Sequence, residues 1–236
     1  MPDAIDTATR LIESLAPGRA RVPIRTPLRQ DECSWFLRGV AEDTIRFSEC
    51  PPDCFRVKKW QSSGPDHFQT PSGKPRHLFS KPVGPIAWLN REYVPHIAAY
   101  SFAVLESGYR REASTFSLYR KYSRDCIVKR AGASYETDAE FYDGSGRVHL
   151  QIEAKASESQ TSRLAAGVEE HGTLRGLPQS AAKEIEYVLD LSPRNLWIVG
   201  PGSVDPPKHV YSVVVQGPTN AIFEPLQHLP PPPDEF

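Results

Sequence analysis

The sequence predicts an α/β fold, with a mixed central sheet flanked by helices and an irregular, β-containing region at the N-terminus. Three observations carry this expectation. Strand-like runs of period two cluster between residues 114 and 156, helical runs stand on either side, and short apolar runs follow the second helix. From residue 95 the order is therefore helix, three strands, helix, strand, strand. On this reading the 236-residue chain divides into an N-terminal region (1–90) that shapes or packs the substrate side, an α/β domain (91–228) and a proline-rich tail (229–236).

The stretch MPDAIDTATRLIESLAPGR reads as a short amphipathic helix and lacks the basic-then-apolar order of a signal peptide. Residues 17–90 are rich in Pro, Gly and Ser. DTIRFSE and CFRVKKW read there as strands, and prolines at 51, 52, 65, 71, 75, 82 and 85 disfavour long helices. PHIAAYSFAVLESG has Pro95 at its start and Gly108 just past its end, the punctuation of a helix. STFSLYRKY, ASYETDAEFY and RVHLQIEAKA have strand character, and Asp143-Gly144-Ser145-Gly146 between the last two is a hairpin turn signal. SESQTSRLAAGVEEHGTLRGLPQ reads as a mobile loop. QSAAKEIEYVLDL reads as a helix stopped by Ser192-Pro193, NLWIVGPG and HVYSVVVQ as closing strands, and LPPPPDEF as a disordered or extended tail.

No apolar run approaches the roughly 20 residues that span a bilayer, so no membrane partner is expected. Without an export signal, a cytoplasmic location and reduced thiols at Cys33, Cys50, Cys54 and Cys126 are the expectation. Cys50-Pro-Pro-Asp-Cys54, with Cys33 upstream and His67 or His77 downstream, invites a zinc site. Its spacing is irregular, and loop thiols with surface histidines explain it more simply. The chain has no nucleophile-elbow pattern, and GPGSVDPP lacks the lysine of a phosphate loop.

A net charge of −1 conceals an asymmetry. Residues 1–130 hold 21 of the 28 Lys+Arg and 14 of the 29 Asp+Glu, whereas residues 131–236 hold 7 and 15. The densest basic stretch carries Arg110, Arg111, Arg120, Lys121, Arg124, Lys129 and Arg130, with Tyr109, Phe116, Tyr119 and Tyr122 interleaved. Such a mixture suits a phosphate backbone and stacked bases, so these cations are the candidate nucleic-acid contacts. The plainer alternative is a solvated face whose aromatics belong to the core.

Strand alternation assembles the chemistry. In ASYETDAEFY, Glu136, Asp138, Glu140 and Tyr142 fall on one face. In RVHLQIEAKA, Val148, Leu150, Ile152 and Ala154 make an apolar face, and His149, Gln151, Glu153 and Lys155 line the other. The hairpin sets these strands side by side, so the acidic face of one lies beside the Glu/Lys face of its neighbour. A phosphodiester resists hydrolysis because its charge repels hydroxide and its leaving group departs as an alkoxide. Carboxylates can hold Mg²⁺ against the scissile phosphate, and a nearby lysine can orient or deprotonate the attacking water and offset developing charge. Asp138 and Glu153 suit the ligand role and Lys155 the second.

The arrangement resembles the PD-(D/E)XK nuclease superfamily: a strand with an aspartate, a turn, a strand with Glu-x-Lys, then a helix and further strands. Asp138 matches the first acid and Glu153-Ala154-Lys155 the triplet, over residues 92–216; Thr137 stands where the motif's proline would be. The resemblance implies a Mg²⁺- or Mn²⁺-dependent endonuclease acting on DNA. It also implies a further acid from the preceding helix, for which Glu106 is preferred over Glu112 and Glu92, and a helix polar residue after the triplet, Gln179 or Lys183. Gln151 shares the site face and would position water or substrate. A homodimer, or a larger defence, repair or mobile-element complex, would suit cutting both strands. The alternatives are a non-catalytic nucleic-acid-binding or assembly protein that keeps the nuclease fold, and an α/β interaction protein whose acidic strand is merely solvated.

Overall fold

The computed structural model of the chain describes residues 3–48, 52–59, 67–69, 76–80 and 85–234. Helices α1 (Ala4–Ser14) and α2 (Gln30–Ala41) precede short strands β1 (Ile45–Phe47), β2 (Cys54–Lys59), β3 (His67–Gln69) and β4 (Arg76–His77). Next come α3 (Tyr93–Leu105), β5 (Ser114–Lys121), β6 (Ser134–Tyr142) and β7 (Val148–Ala154). The chain continues through α4 (Glu158–His171), α5 (Gln179–Ile185), α6 (Val188–Leu191), β8 (Asn195–Val199), β9 (Val210–Val215) and β10 (Ala221–Leu226). None of the described helices is long and apolar enough to cross a membrane.

The α/β architecture is as expected. Six strands form one mixed sheet in the order β10-β9-β8-β7-β6-β5, antiparallel throughout except for the parallel pair β7/β8. A parallel pair needs a crossover, and α4 to α6 supply it on one face of the sheet. Leu196, Ile198, Tyr211 and Val213 meet Leu164, Val168, Ile185 and Leu189 there. On the other face Leu150, Ile152, Ala154, Trp197 and Val199 meet α3, with α2 and then α1 behind it. Strand β7 is covered on both faces, and α3 is buried from Val94 to Ala103. A helix apolar all round belongs inside. Helices α2 and α3 approach closely enough that a Cβ on Gly39 would fall 2.0 Å from Ser101 Oγ.

Among its described residues the N-terminal region has no separate core. Its small sheet pairs β1, β3 and β4 with β2, and Ile45, Phe55, Leu78 and Phe79 pack in the same cluster as α3 and Phe116. Arg91, 7% exposed, makes an ion pair with the fully buried Glu32 of α2 and donates to the Pro27 carbonyl at 3.0 Å. That pair binds the start of α3 to the N-terminal segment.

Three segments differ from the sequence expectation, and the tail, expected to be disordered or extended, is docked. Helix α2 was hidden because Arg29, not a typical capping residue, precedes it; Glu32 accepts from the Arg29 N–H at 2.8 Å instead. The expected mobile loop is largely α4, with Ser157 as its cap and Thr161, Leu164, Ala165 and Val168 buried on one stripe. β10 contains Pro225, which an edge strand tolerates. The tail through Asp234 lies against the domain: Tyr109 donates to the Pro230 carbonyl at 2.8 Å and His149 Nε2 to that of Pro231 at 3.1 Å.

Candidate active site

The site grows from an interruption in the β5–β6 ladder. Pairing holds at Phe116↔Ala139 and Leu118↔Thr137 but skips Ser117 and Asp138 between them. Ser117 adopts φ 52, and the Asp138 carbonyl turns to α3, where it accepts from His96 Nε2 at 2.8 Å. Because a carbonyl only accepts, the proton of His96 sits on Nε2. The Asp138 side chain is fixed at its other end: Oδ2 accepts from the Ala154 N–H, at the end of β7, at 2.6 Å. One step beyond the pair Ala139↔Ile152, Asp138 stands opposite Glu153.

Glu153 is 7% exposed and doubly held. Its Oε1 accepts from Lys155 Nζ at 2.6 Å and its Oε2 from Tyr187 OH at 2.8 Å. Lys155 also pairs with Glu184 of α5 at 3.2 Å, and its backbone N–H extends the parallel ladder to the Val199 carbonyl. Gly200 follows, where a Cβ would fall 1.9 Å from Thr161 Oγ1, so α4 closes directly over this strand end.

Asp138 and Glu153 line one cleft of about 610 Å³ together with Glu92, Tyr93, His96 and Glu136. Its electrostatics follow from crowded carboxylates. Burial, then the charges of Glu153 and Glu92, hold the Asp138 carboxyl well above the ordinary aspartate range. Glu92 is exposed and lines the cleft; desolvation and then the charge of Glu153 push its carboxyl up to about 7. Lys155 is desolvated, which favours its neutral form, yet Glu153 and Glu184 outweigh this and raise its pKa. It is therefore an ammonium at neutral pH. Burial lowers His96 to about 3, so this ring is neutral. Its Nδ1 is buried without a hydrogen-bond partner, 3.9 Å from Asp138 Oδ1.

The sequence-selected residues separate into those gathered here and those elsewhere. Asp138, Glu153 and Lys155 come together. Glu106 does not: it caps the far end of α3 and pairs with Arg38 at 3.2 Å, about 20 Å along the helix from Glu92 by helical rise. Gln151 is fully buried, with Nε2 on its neighbour's carbonyl, and does not line the cleft. Glu140 does not share the site face, because the irregularity at Asp138 breaks the alternation. Its carboxylate is buried against Arg120, Thr137 and Tyr142. Gln179 and Lys183 are exposed, while Glu184 and Tyr187 reach the site from the same segment. The acidic strand is thus no solvated sheet face.

The basic segment is likewise mixed. Arg120 is committed to Glu140 at 3.0 and 2.6 Å, and Arg130 to Asp125 at 3.6 Å. Arg110 lies 3.9 Å from Glu112, and Arg111 opens the turn before β5. Lys121 is exposed; Arg124 and Lys129 are half-buried, and Arg124 stands with Arg147 at a separate cleft. Tyr109, Phe116 and Tyr122 belong to the core, and Tyr119 is 47% exposed. Cys33 and Cys54 are buried free thiols, and burial pushes Cys33 up to about 12; Cys50 lies outside the described residues.

Among the described residues no group of three His, Cys, Asp or Glu side chains is gathered tightly enough to form a ready-made metal cage. The donor set still fits a hard divalent cation. Mg²⁺ keeps several waters and needs only one or two protein carboxylates. Asp138 and Glu153 supply them in a cleft whose negative charge is in excess. No protein-family model, no curated protein and no solved structure matches this chain.

Proposed function

We propose that this cleft is the active site of a metal-dependent endonuclease of the PD-(D/E)XK type, hydrolysing phosphodiester bonds, with DNA as the substrate. The observation that carries the reading is that Asp138 and Glu153, from two adjoining strands, line one cleft, while Lys155, just past the second strand, places Nζ 2.6 Å from Glu153. Asp138 and Glu153 would hold Mg²⁺ or Mn²⁺. When bound, the ion would supply a Lewis acid for the phosphoryl oxygen and lower the pKa of a coordinated water.

The chain's own residues account for the remainder. Tyr187 and Lys155 fix the Glu153 carboxylate from both oxygens, and the Ala154 N–H fixes Asp138, so neither must be ordered on substrate arrival. Lys155, held protonated by Glu153 and Glu184, acts as a fixed cation that offsets charge on the phosphoryl oxygens. A base role does not suit it. Glu92, pushed up to about 7 at the mouth of the cleft, suits the task of accepting the proton of the attacking water, and takes the place expected for Glu106.

The test is cleavage of double- and single-stranded DNA and of RNA in Mg²⁺ or Mn²⁺, with chelator and Lys155→Ala as controls. Metal-dependent cutting abolished by the substitution supports the reading. Binding without cutting by the intact protein would favour the non-catalytic alternative, and activity surviving Lys155→Ala would place the chemistry elsewhere.

A further inference from the structure

Resting on the nuclease reading, we infer that Arg76 of the N-terminal small sheet binds the phosphate beside the one that reacts, and that Glu136 holds its place when substrate is absent. A cleft lined by Glu92, Glu136, Asp138 and Glu153 repels a polyanion, so a nucleic acid needs cations of the protein at its rim. Lys155, held by Glu153 and Glu184, is assigned to the reacting phosphate, and Arg91 is committed to Glu32. Arg76 is differently placed. Strand β4 brings it to the interruption in β5, where its guanidinium donates to the Ser117 carbonyl at 3.4 Å. Ser117 is the residue skipped opposite Asp138, so the guanidinium is anchored next to the aspartate's own position in the sheet.

The guanidinium makes an ion pair with Glu136, which is 28% exposed, and lies 4.9 Å over the Tyr119 ring. Its Nε is buried without a hydrogen-bond partner. Glu136 and Asp138 are two residues apart on one strand, about 6.6 Å at a strand's rise, and both line the cleft. A planar guanidinium binds carboxylate and phosphate by the same fork of N–H donors. A phosphodiester can therefore displace the Glu136 carboxylate while stacking on Tyr119 and the Ser117 carbonyl keep the guanidinium aimed.

The experiment measures binding of a short fluorescein-labelled DNA duplex in Mg²⁺ as a function of salt, in Lys155→Ala protein so that the probe stays intact. Adding Arg76→Ala is expected to weaken binding about tenfold, the worth of one charge-assisted contact, and to reduce the salt slope by about one. Adding Glu136→Gln is expected to tighten binding, because the competing carboxylate charge is gone. In the parent protein Arg76→Ala should raise KM more than it lowers kcat. Unchanged affinity and slope in Arg76→Ala, beside intact cleavage by the parent, would overturn this inference and leave the nuclease reading standing. Absence of both binding and cleavage in the parent would remove the two together. If Arg76→Ala does not fold, Arg76→Lys and Glu136→Gln decide: weaker binding in the first and tighter in the second support the assignment, and no change in either refutes it.

Discussion

Acidification should destabilise this protein through His96, and the size of the effect follows from its surroundings. The ring is 1% exposed, stacked on Phe116 at 3.8 Å, and held neutral with its pKa lowered from 6.5 to about 3. Between these values the unfolded chain binds a proton that the folded chain refuses. Stability from this group is therefore fully present above pH 6.5 and is lost as pH falls toward 3. At 1.36 kcal/mol per pH unit the loss is about 2 kcal/mol by pH 5 and about 5 kcal/mol in full, a large fraction of a typical domain's stability. His149, also lowered by burial, adds in the same sense. Glu92 and Asp138, whose folded pKa values are raised, act oppositely: their contribution is present at low pH and lost as pH rises through the folded value. The clean quantity is the difference between parent and His96→Gln in urea unfolding at pH 7.5 and pH 5. The variant should be weaker at pH 7.5, having lost the stacked ring, yet the gap should narrow by about 2 kcal/mol at pH 5. Parallel pH profiles would refute the assignment of a buried neutral imidazole.

The remaining predictions concern residues whose roles the fold separates. Glu92→Gln should depress metal-dependent cleavage at least tenfold, whereas Glu106→Gln at the far end of α3 should leave it within about twofold; rates measured side by side decide the choice of helix acid. Arg120→Ala strips the partner from the fully buried Glu140 and should cost about 3 kcal/mol in denaturant unfolding, a structural loss that DNA affinity at saturating stability would not share. Gly39→Ala drives a Cβ into Ser101 and should cost about 1–3 kcal/mol in thermal unfolding, part of which Ser101→Ala restores.

What the sequence made legible depended on how local its cause was. The hairpin around Asp143-Gly144-Ser145-Gly146 and the two-sided pattern of β7 are local, and they placed Glu153 on the correct strand and Lys155 just past its end. α4 was also present as a buried stripe at positions 161, 164, 165 and 168, but its Ser, Gln and Gly neighbours obscured it. The face of Glu140 was not legible. Alternation fails at Asp138 because a histidine 42 residues earlier takes its carbonyl and Ser117 takes a positive φ. Glu92 was obscured by reading Pro95 as the helix start; the helix begins at Tyr93, and its N-terminal end rather than its C-terminal end meets the cleft. Tyr187 and Glu184 carry no local signal, since their role depends on a crossover that returns them to the end of β7.

The energetics of the cleft argue in the same direction as its geometry. A chain selected for stability alone would not crowd Asp138, Glu153 and Glu92 into one partly desolvated recess, because each charge raises the cost of the next. Two other buried acids are neutralised by an arginine, Glu32 by Arg91 and Glu140 by Arg120, whereas the fully buried Glu186 accepts only from the Val128 N–H. Beside the cleft Lys155 is shared between Glu153 and Glu184, so one ammonium serves two carboxylates and Asp138 has only the Ala154 N–H and the more distant lysine to offset its charge. Under the proposed function, a cation from solution would relieve this crowding. On that reading a polyanion would enter only once the cation is in place, and the expected outcome is that DNA affinity rises with Mg²⁺ even in Lys155→Ala protein.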